Sequence, residues 1–98
     1  MYYVYLLKSN RSDFIYVGST PNLKERLIKH QKGLVRSTRP YLPINLIYSE
    51  IYKSKRDAVQ REYQLKRYGK ALGQLKRRIR YSLGNSEKVR GKSLPTKF

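Results

Sequence analysis

A chain of 98 residues with no cysteine and one histidine is a single domain's worth of sequence. It excludes a disulfide framework, a cysteine zinc site and any multi-histidine metal centre. Its 23 Lys and Arg against 6 Asp and Glu leave a net charge of +17, so a polyanionic partner is expected; with no long apolar segment, nucleic acid comes ahead of a membrane.

A hydrophobic fraction of 39% with 10 tyrosines is too apolar for a disordered chain. Any metal must sit among oxygens, which favours a hard cation such as Mg²⁺ or Mn²⁺. The start, Met1–Leu7, is apolar over strand length only and lacks the marks of a signal peptide, so a cytoplasmic location is expected.

In chain order, Tyr2–Leu7 reads as a strand with Tyr3, Tyr5 and Leu7 on one face and Tyr2, Val4 and Leu6 on the other. Both faces are apolar or aromatic, as in a central strand covered on both sides. The polar cluster Lys8–Asp13 turns the chain into a second strand, Phe14–Val17, which Gly18 is expected to end. Thr20-Pro21 then signals a helix from Pro21 to Gln31, with Thr20 as N-cap and Gly33 as the stop. Arg26 and His30 share one face of that helix. Leu34–Pro43, with two prolines and Arg36 and Arg39, reads as a basic loop.

Ile44–Tyr52 reads as a third strand. Ser54, with Asp57 three residues on, starts a second helix that reaches Tyr68 or Gly69. A break at Gly69–Gly73 precedes a third, basic helix over Leu75–Leu83. The expected fold is α/β: a small ββαβαα sandwich over residues 1–83, with a three-stranded, mainly antiparallel sheet flanked by helices. Residues 84–98 read as a flexible basic tail.

Five of the six acidic residues suit turns, caps, the tail or exposed positions. Glu62 does not, because it falls on the same helical stripe as Ala58 and Leu65. A carboxylate facing a core must be paired or bound to a metal. An ion pair with an arginine and a metal ligand both fit its spacing. Taken singly, tyrosines on strands are packing residues and one arginine is one of many. Together, an aromatic strand, Tyr16-Val17-Gly18, Arg26, His30 and an inward Glu62 form a pattern.

That pattern resembles the GIY-YIG nuclease superfamily over roughly residues 1–80, and most of all its small stand-alone bacterial members. Tyr3-Val4-Tyr5 stands where Gly-Ile-Tyr would be, and Tyr16-Val17-Gly18 where Tyr-Ile-Gly would be. Arg26, His30 and Glu62 follow in the family's order and spacing. Ser19 stands where excision-repair relatives carry a lysine, and Gln74 is the nearest counterpart of an asparagine found in some relatives.

The resemblance implies a metal-dependent DNA endonuclease with Tyr5, Tyr16, Arg26, His30 and Glu62 as catalytic residues. Glu62 would anchor one Mg²⁺ or Mn²⁺, and Tyr16 or Tyr5 would orient or deprotonate the attacking water. Arg26 would hold the phosphate, and His30 would share the base role or position Tyr5. Gly18 would let the backbone approach the substrate. Arg36, Arg39, Arg61, Lys66, Arg67, Arg77, Arg78 and Arg80 are the residues expected to follow the nucleic-acid backbone. The competing readings are a nucleic-acid-binding module with weak or no activity, and a structural protein of an RNA assembly. A monomer or weak oligomer is expected, and substrate choice could come from a protein partner.

Overall fold

The alternation along β1 (Tyr2–Ser9) sets the architecture of the computed structural model, which describes residues 1–84. β1 is the middle strand of three, between β2 (Ile15–Thr20) and β3 (Ile44–Tyr52), and both neighbours run antiparallel to it. Val4 and Leu6 face one core with Val17, Ala58, Leu65 and Leu75, and Tyr5 and Leu7 face a second with Ile44. α1 (Leu23–Gln31) covers the second core through Leu23 and Leu27. α2 (Lys55–Arg67) and α3 (Gly69–Arg78) cover the first. Each fully buried leucine of β1 contributes about 2 kcal/mol by leaving water. The ββαβαα sandwich expected from the sequence is the observed fold.

β3 serves both cores because its pairing with β1 shifts between Leu6 and Leu7. Leu7 lies opposite Leu46 and Leu6 opposite Tyr48, leaving Ile47 as the extra residue. A bulge changes the phase of a strand. Ile44 therefore packs with Tyr5 and Leu7, whereas Tyr48 and Tyr52 pack on the α2 side.

Several element ends differ from the sequence reading: β1 runs on to Ser9, β2 starts at Ile15, α2 ends at Arg67, and α3 ends at Arg78 rather than Leu83. Three further differences have identifiable causes. β2 does not stop at Gly18 but continues through it to Thr20, because Gly18 pairs with Tyr5 as an ordinary sheet residue. α1 begins at Leu23, not Pro21: Asn22 is the N-cap, its side chain accepting from the Glu25 N–H, while the Thr20 hydroxyl accepts from the Asn22 N–H. α3 begins at Gly69, with Gly69 and Gly73 inside it. The break from α2 is the single extended residue Tyr68 (φ −107°, ψ 105°). Ser54 caps α2 as expected, accepting from the Arg56 N–H. The expected basic tail lies outside the described residues, apart from Gly84.

The loop after α1 is fastened rather than loose. Gly33, at φ 77°, turns the chain out of the helix, and its N–H donates to the His30 carbonyl. A short 3₁₀ turn, Arg39–Tyr41, follows. The buried Ser9 hydroxyl donates to the Tyr41 carbonyl at 2.8 Å, and Phe14 stacks on Tyr41 with centroids 3.7 Å apart. These contacts hold Thr38, at the start of the turn, against α1.

Candidate active site

Tyr5 and Gly18 lie directly opposite each other on β1 and β2. A Cβ on residue 18 would lie 2.5 Å from the Tyr5 hydroxyl and 2.9 Å from the Tyr16 ring, so only glycine admits both phenols here. The packing of Tyr5 thus accounts for a glycine at this position. α1 then places His30 behind Tyr5. Tyr5 Oη and His30 Nε2 are 2.8 Å apart, and His30 Nδ1 is 2.8 Å from Thr38 Oγ1. Tyr5, His30 and Thr38 all have 0% exposure.

Half-buried Tyr16 and Arg26 lie outside this inner row. Tyr16 meets His30 edge-on at 5.0 Å and Tyr5 at 6.2 Å between centroids. The Arg26 guanidinium sits beside both phenols. Burial pushes Tyr5 up to about 12 against the pull of Arg26, so it keeps its proton at neutral pH. Burial first, and then the Arg26 charge, push His30 down to about 4, so its imidazole is neutral.

Glu62 reaches this group around the exposed edge of β2. Ala58 and Leu65 anchor α2 over the middle of the sheet, which turns Glu62 toward β2. Ser19, on the α2 side of β2, donates to Glu62 Oε1 at 2.6 Å. Lys66 Nζ pairs with Oε2 at 2.8 Å and also lies 5.8 Å from the centroid of the Tyr16 ring. The lysine therefore joins the carboxylate to the tyrosine across the strand. The ion pair that the stripe of Glu62 allowed is present, with a lysine rather than an arginine.

Among the described residues there is no group of three His, Cys, Asp or Glu that could form a protein-only metal cage. A single part-exposed carboxylate with a hydroxyl alongside matches a site where Mg²⁺ keeps several waters and takes its remaining ligands from substrate phosphate. Glu62 fits that role, with Lys66 as the group a cation would displace.

Glu50 is a correction to the sequence reading, which counts it among the easily explained acids. It is part-buried under α2, accepts from the Tyr48 and Tyr52 hydroxyls at 2.6 Å each, and is gripped by Arg61 at 2.9 Å. Burial would raise its carboxyl, but Arg61 and the two phenols outweigh burial and hold it below the ordinary value. Arg61, expected from the sequence to follow nucleic acid, is thereby held to Glu50 within the fold.

The remaining basic residues fall into separate groups. Arg36 and Arg39 are exposed on the loop that carries Thr38. Lys66 and Arg67 stand at the end of α2, with Arg67 over the Tyr63 ring at 5.6 Å. Arg77 and Arg80 line an open cavity of about 490 Å³ with Lys8 and Lys76. Arg78 is exposed on α3. The sequence reading notes Ser19 only as standing in place of a lysine, without its contact to Glu62, and it misses Thr38, since a hydroxyl residue in a loop carries no distinguishing signal.

A family model for the GIY-YIG catalytic domain matches residues 1–78. A UPF0213 protein of Clostridium perfringens is 40% identical over 68 residues, covering 68% of this chain and 72% of its own length. Another from Staphylococcus epidermidis is 35% identical over 68 residues, covering 68% of this chain and 82% of its own. The solution structure of a UPF0213 protein from Bacillus halodurans superposes with a TM-score of 0.52 at 26% identity, covering 88% of this chain and 96% of that one.

Proposed function

The chain belongs to the GIY-YIG family, and from that premise we propose that it is a metal-dependent endonuclease hydrolysing DNA phosphodiester bonds in repair or recombination. The observation that carries this is the meeting of Arg26 with two phenols on one side of β2 and the Glu62 carboxylate on the other, joined by Lys66. Hydrolysis needs a positioned water, charge neutralisation at phosphorus and help for the leaving oxygen.

Arg26 offers its guanidinium fork to the phosphate. Tyr16, the phenol at the surface, orients the attacking water. Tyr5 is enclosed and protonated, so it serves Arg26 as a hydrogen-bond acceptor, and His30 holds Tyr5 rather than reaching substrate. Lys66 brings a cation to Tyr16, near the place where the lysine of excision-repair relatives is missing. Glu62 would hold Mg²⁺ or Mn²⁺, which when bound supplies positive charge to the phosphate and leaving oxygen. Arg36, Arg39, Lys66, Arg67, Arg77, Arg78 and Arg80 would follow the backbone without reading sequence.

A second reading, a binding module of weak or no activity, draws on the engagement of both Glu62 oxygens by Ser19 and Lys66. The test incubates the protein with labelled single-stranded, duplex, flapped and four-way-junction DNA in Mg²⁺, Mn²⁺ or EDTA, beside Arg26→Ala. Metal-dependent cutting by wild type alone is the expected result. Salt-sensitive binding to every substrate without cutting would replace the nuclease with the binding module.

A further inference from the structure

Thr38 opens the 3₁₀ turn, yet its side chain makes no capping hydrogen bond to that turn. Its hydroxyl instead lies 2.8 Å from His30 Nδ1 and donates to the Val35 carbonyl at 3.4 Å. A threonine hydroxyl has one proton to give. If that proton goes to the carbonyl, the oxygen is left to accept from His30 and the imidazole proton lies on Nδ1; the carbonyl contact is the longer of the two, so the choice rests also on the Tyr5 end of the row. Nε2 is then a bare acceptor and takes the Tyr5 proton at 2.8 Å. The opposite end of the row agrees: Arg26, beside the Tyr5 oxygen, can only donate, so the phenol proton has no acceptor on that side.

We propose that Thr38 is a positioning residue of the site: by accepting from Nδ1–H it fixes the tautomer of His30, which turns the Tyr5 oxygen toward Arg26 as an acceptor. The polarity runs one way from Tyr5, to His30, to Thr38, to the Val35 carbonyl, with the Arg26 charge on the far side of the Tyr5 oxygen. With the other tautomer, Nε2–H would donate to Tyr5, and the phenol proton would face the guanidinium, donor against donor. Arg26 would lose its support beside the phosphate. Hydroxyls that set a histidine's tautomer from behind act through orientation, not contact with substrate.

The consequence for cleavage rests on the nuclease reading, but the tautomer does not, so the two can fail separately. The chain's one histidine makes the measurement clean, since one pair of ring nitrogens appears in a long-range ¹H–¹⁵N spectrum at neutral pH. A protonated Nδ1 and a bare, pyridine-type Nε2 are expected in wild type. Thr38→Val keeps the shape and removes the acceptor, and it should move the proton to Nε2 in part or in full. Thr38→Ser should restore the wild-type pattern. Cleavage by Thr38→Val should fall about tenfold, with recovery in Thr38→Ser. Nε2–H in wild type, or an unchanged tautomer in Thr38→Val, would overturn the assignment. The wild-type spectrum decides the matter even if the valine variant does not fold.

Discussion

Glu50, on β3 beneath α2, and Glu62, on α2 itself, lie on the same side of the sheet, and their side chains are nearly equally buried, 15% and 21% exposed. Burial therefore does not tell them apart. What differs is how far each carboxylate is satisfied. Glu50 takes two phenols and both arms of Arg61, filling the roughly four acceptor sites of a carboxylate. Glu62 takes one serine hydroxyl and one lysine that is itself 50% exposed, so it has capacity left and a partner that can leave. A saturated carboxylate belongs to the fold, and a half-satisfied one at a sheet edge beside two tyrosines is available for chemistry.

Charge removal without change of size tests this contrast. Glu62→Gln should lower cleavage at least about a hundredfold, while its exposed ion pair contributes only about 0–1 kcal/mol to stability. Nicking rates and the thermal midpoint, measured on one preparation, give both numbers. Glu50→Gln should do the reverse. It leaves the part-buried Arg61 unpaired, at a cost of about 2 kcal/mol, or a fall in midpoint of about 8–16 °C for a domain of this size. Its cleavage rate per folded molecule should stay at the wild-type level. If Glu50→Gln stops cleavage in a folded protein, or Glu62→Gln unfolds the chain, the division between the two carboxylates is wrong.

The saturated kind of network has a second member in Tyr5–His30–Thr38, and pH reads it. His30 sits near 4 in the fold and ordinarily titrates at 6.5. Between those values the unfolded chain binds a proton that the native state does not. Stability is thus fully present above about pH 6.5 and is lost as pH falls toward 4. The expected loss is about 3 kcal/mol, read as a falling urea midpoint from pH 7 to pH 4. His30→Gln should lack this component. A wild-type midpoint as flat as the variant's over that range would mean that His30 is not held neutral.

Much of this was readable in the chain because it rests on local periodicity. Two apolar faces on Tyr2–Leu7 imply a central strand, and the spacing of Ala58, Glu62 and Leu65 turns Glu62 inward. The missed features depend on register and on partners distant in sequence. Nothing around Glu50 reveals that a bulge at Ile47 would turn Tyr48, Glu50 and Tyr52 under Arg61. Thr38 lies in a stretch that reads as loop, and only the contacts of Ser9 and Phe14 with Tyr41 bring it to His30. Gly18 carried a correct signal with an incomplete cause: a close approach is present, and the group approaching is the Tyr5 hydroxyl.

The smallest effect isolates the feature that makes Glu62 differ from Glu50, its replaceable partner. Lys66 holds Oε2 and also lies over Tyr16, so it competes with any cation for the carboxylate while adding charge beside the tyrosine. Lys66→Gln removes the competitor without touching the ligand. An exposed pair of this kind contributes about 0.5–1 kcal/mol, so the Mg²⁺ concentration giving half-maximal cleavage should fall about two- to fivefold. The same change should reduce the salt slope of DNA binding by about one if Lys66 also meets a phosphate. A fall in the metal requirement with an unchanged salt slope would confine Lys66 to Glu62. An unchanged metal requirement would show that the lysine does not stand in the cation's place, and the half-satisfied state of Glu62 would then need another explanation.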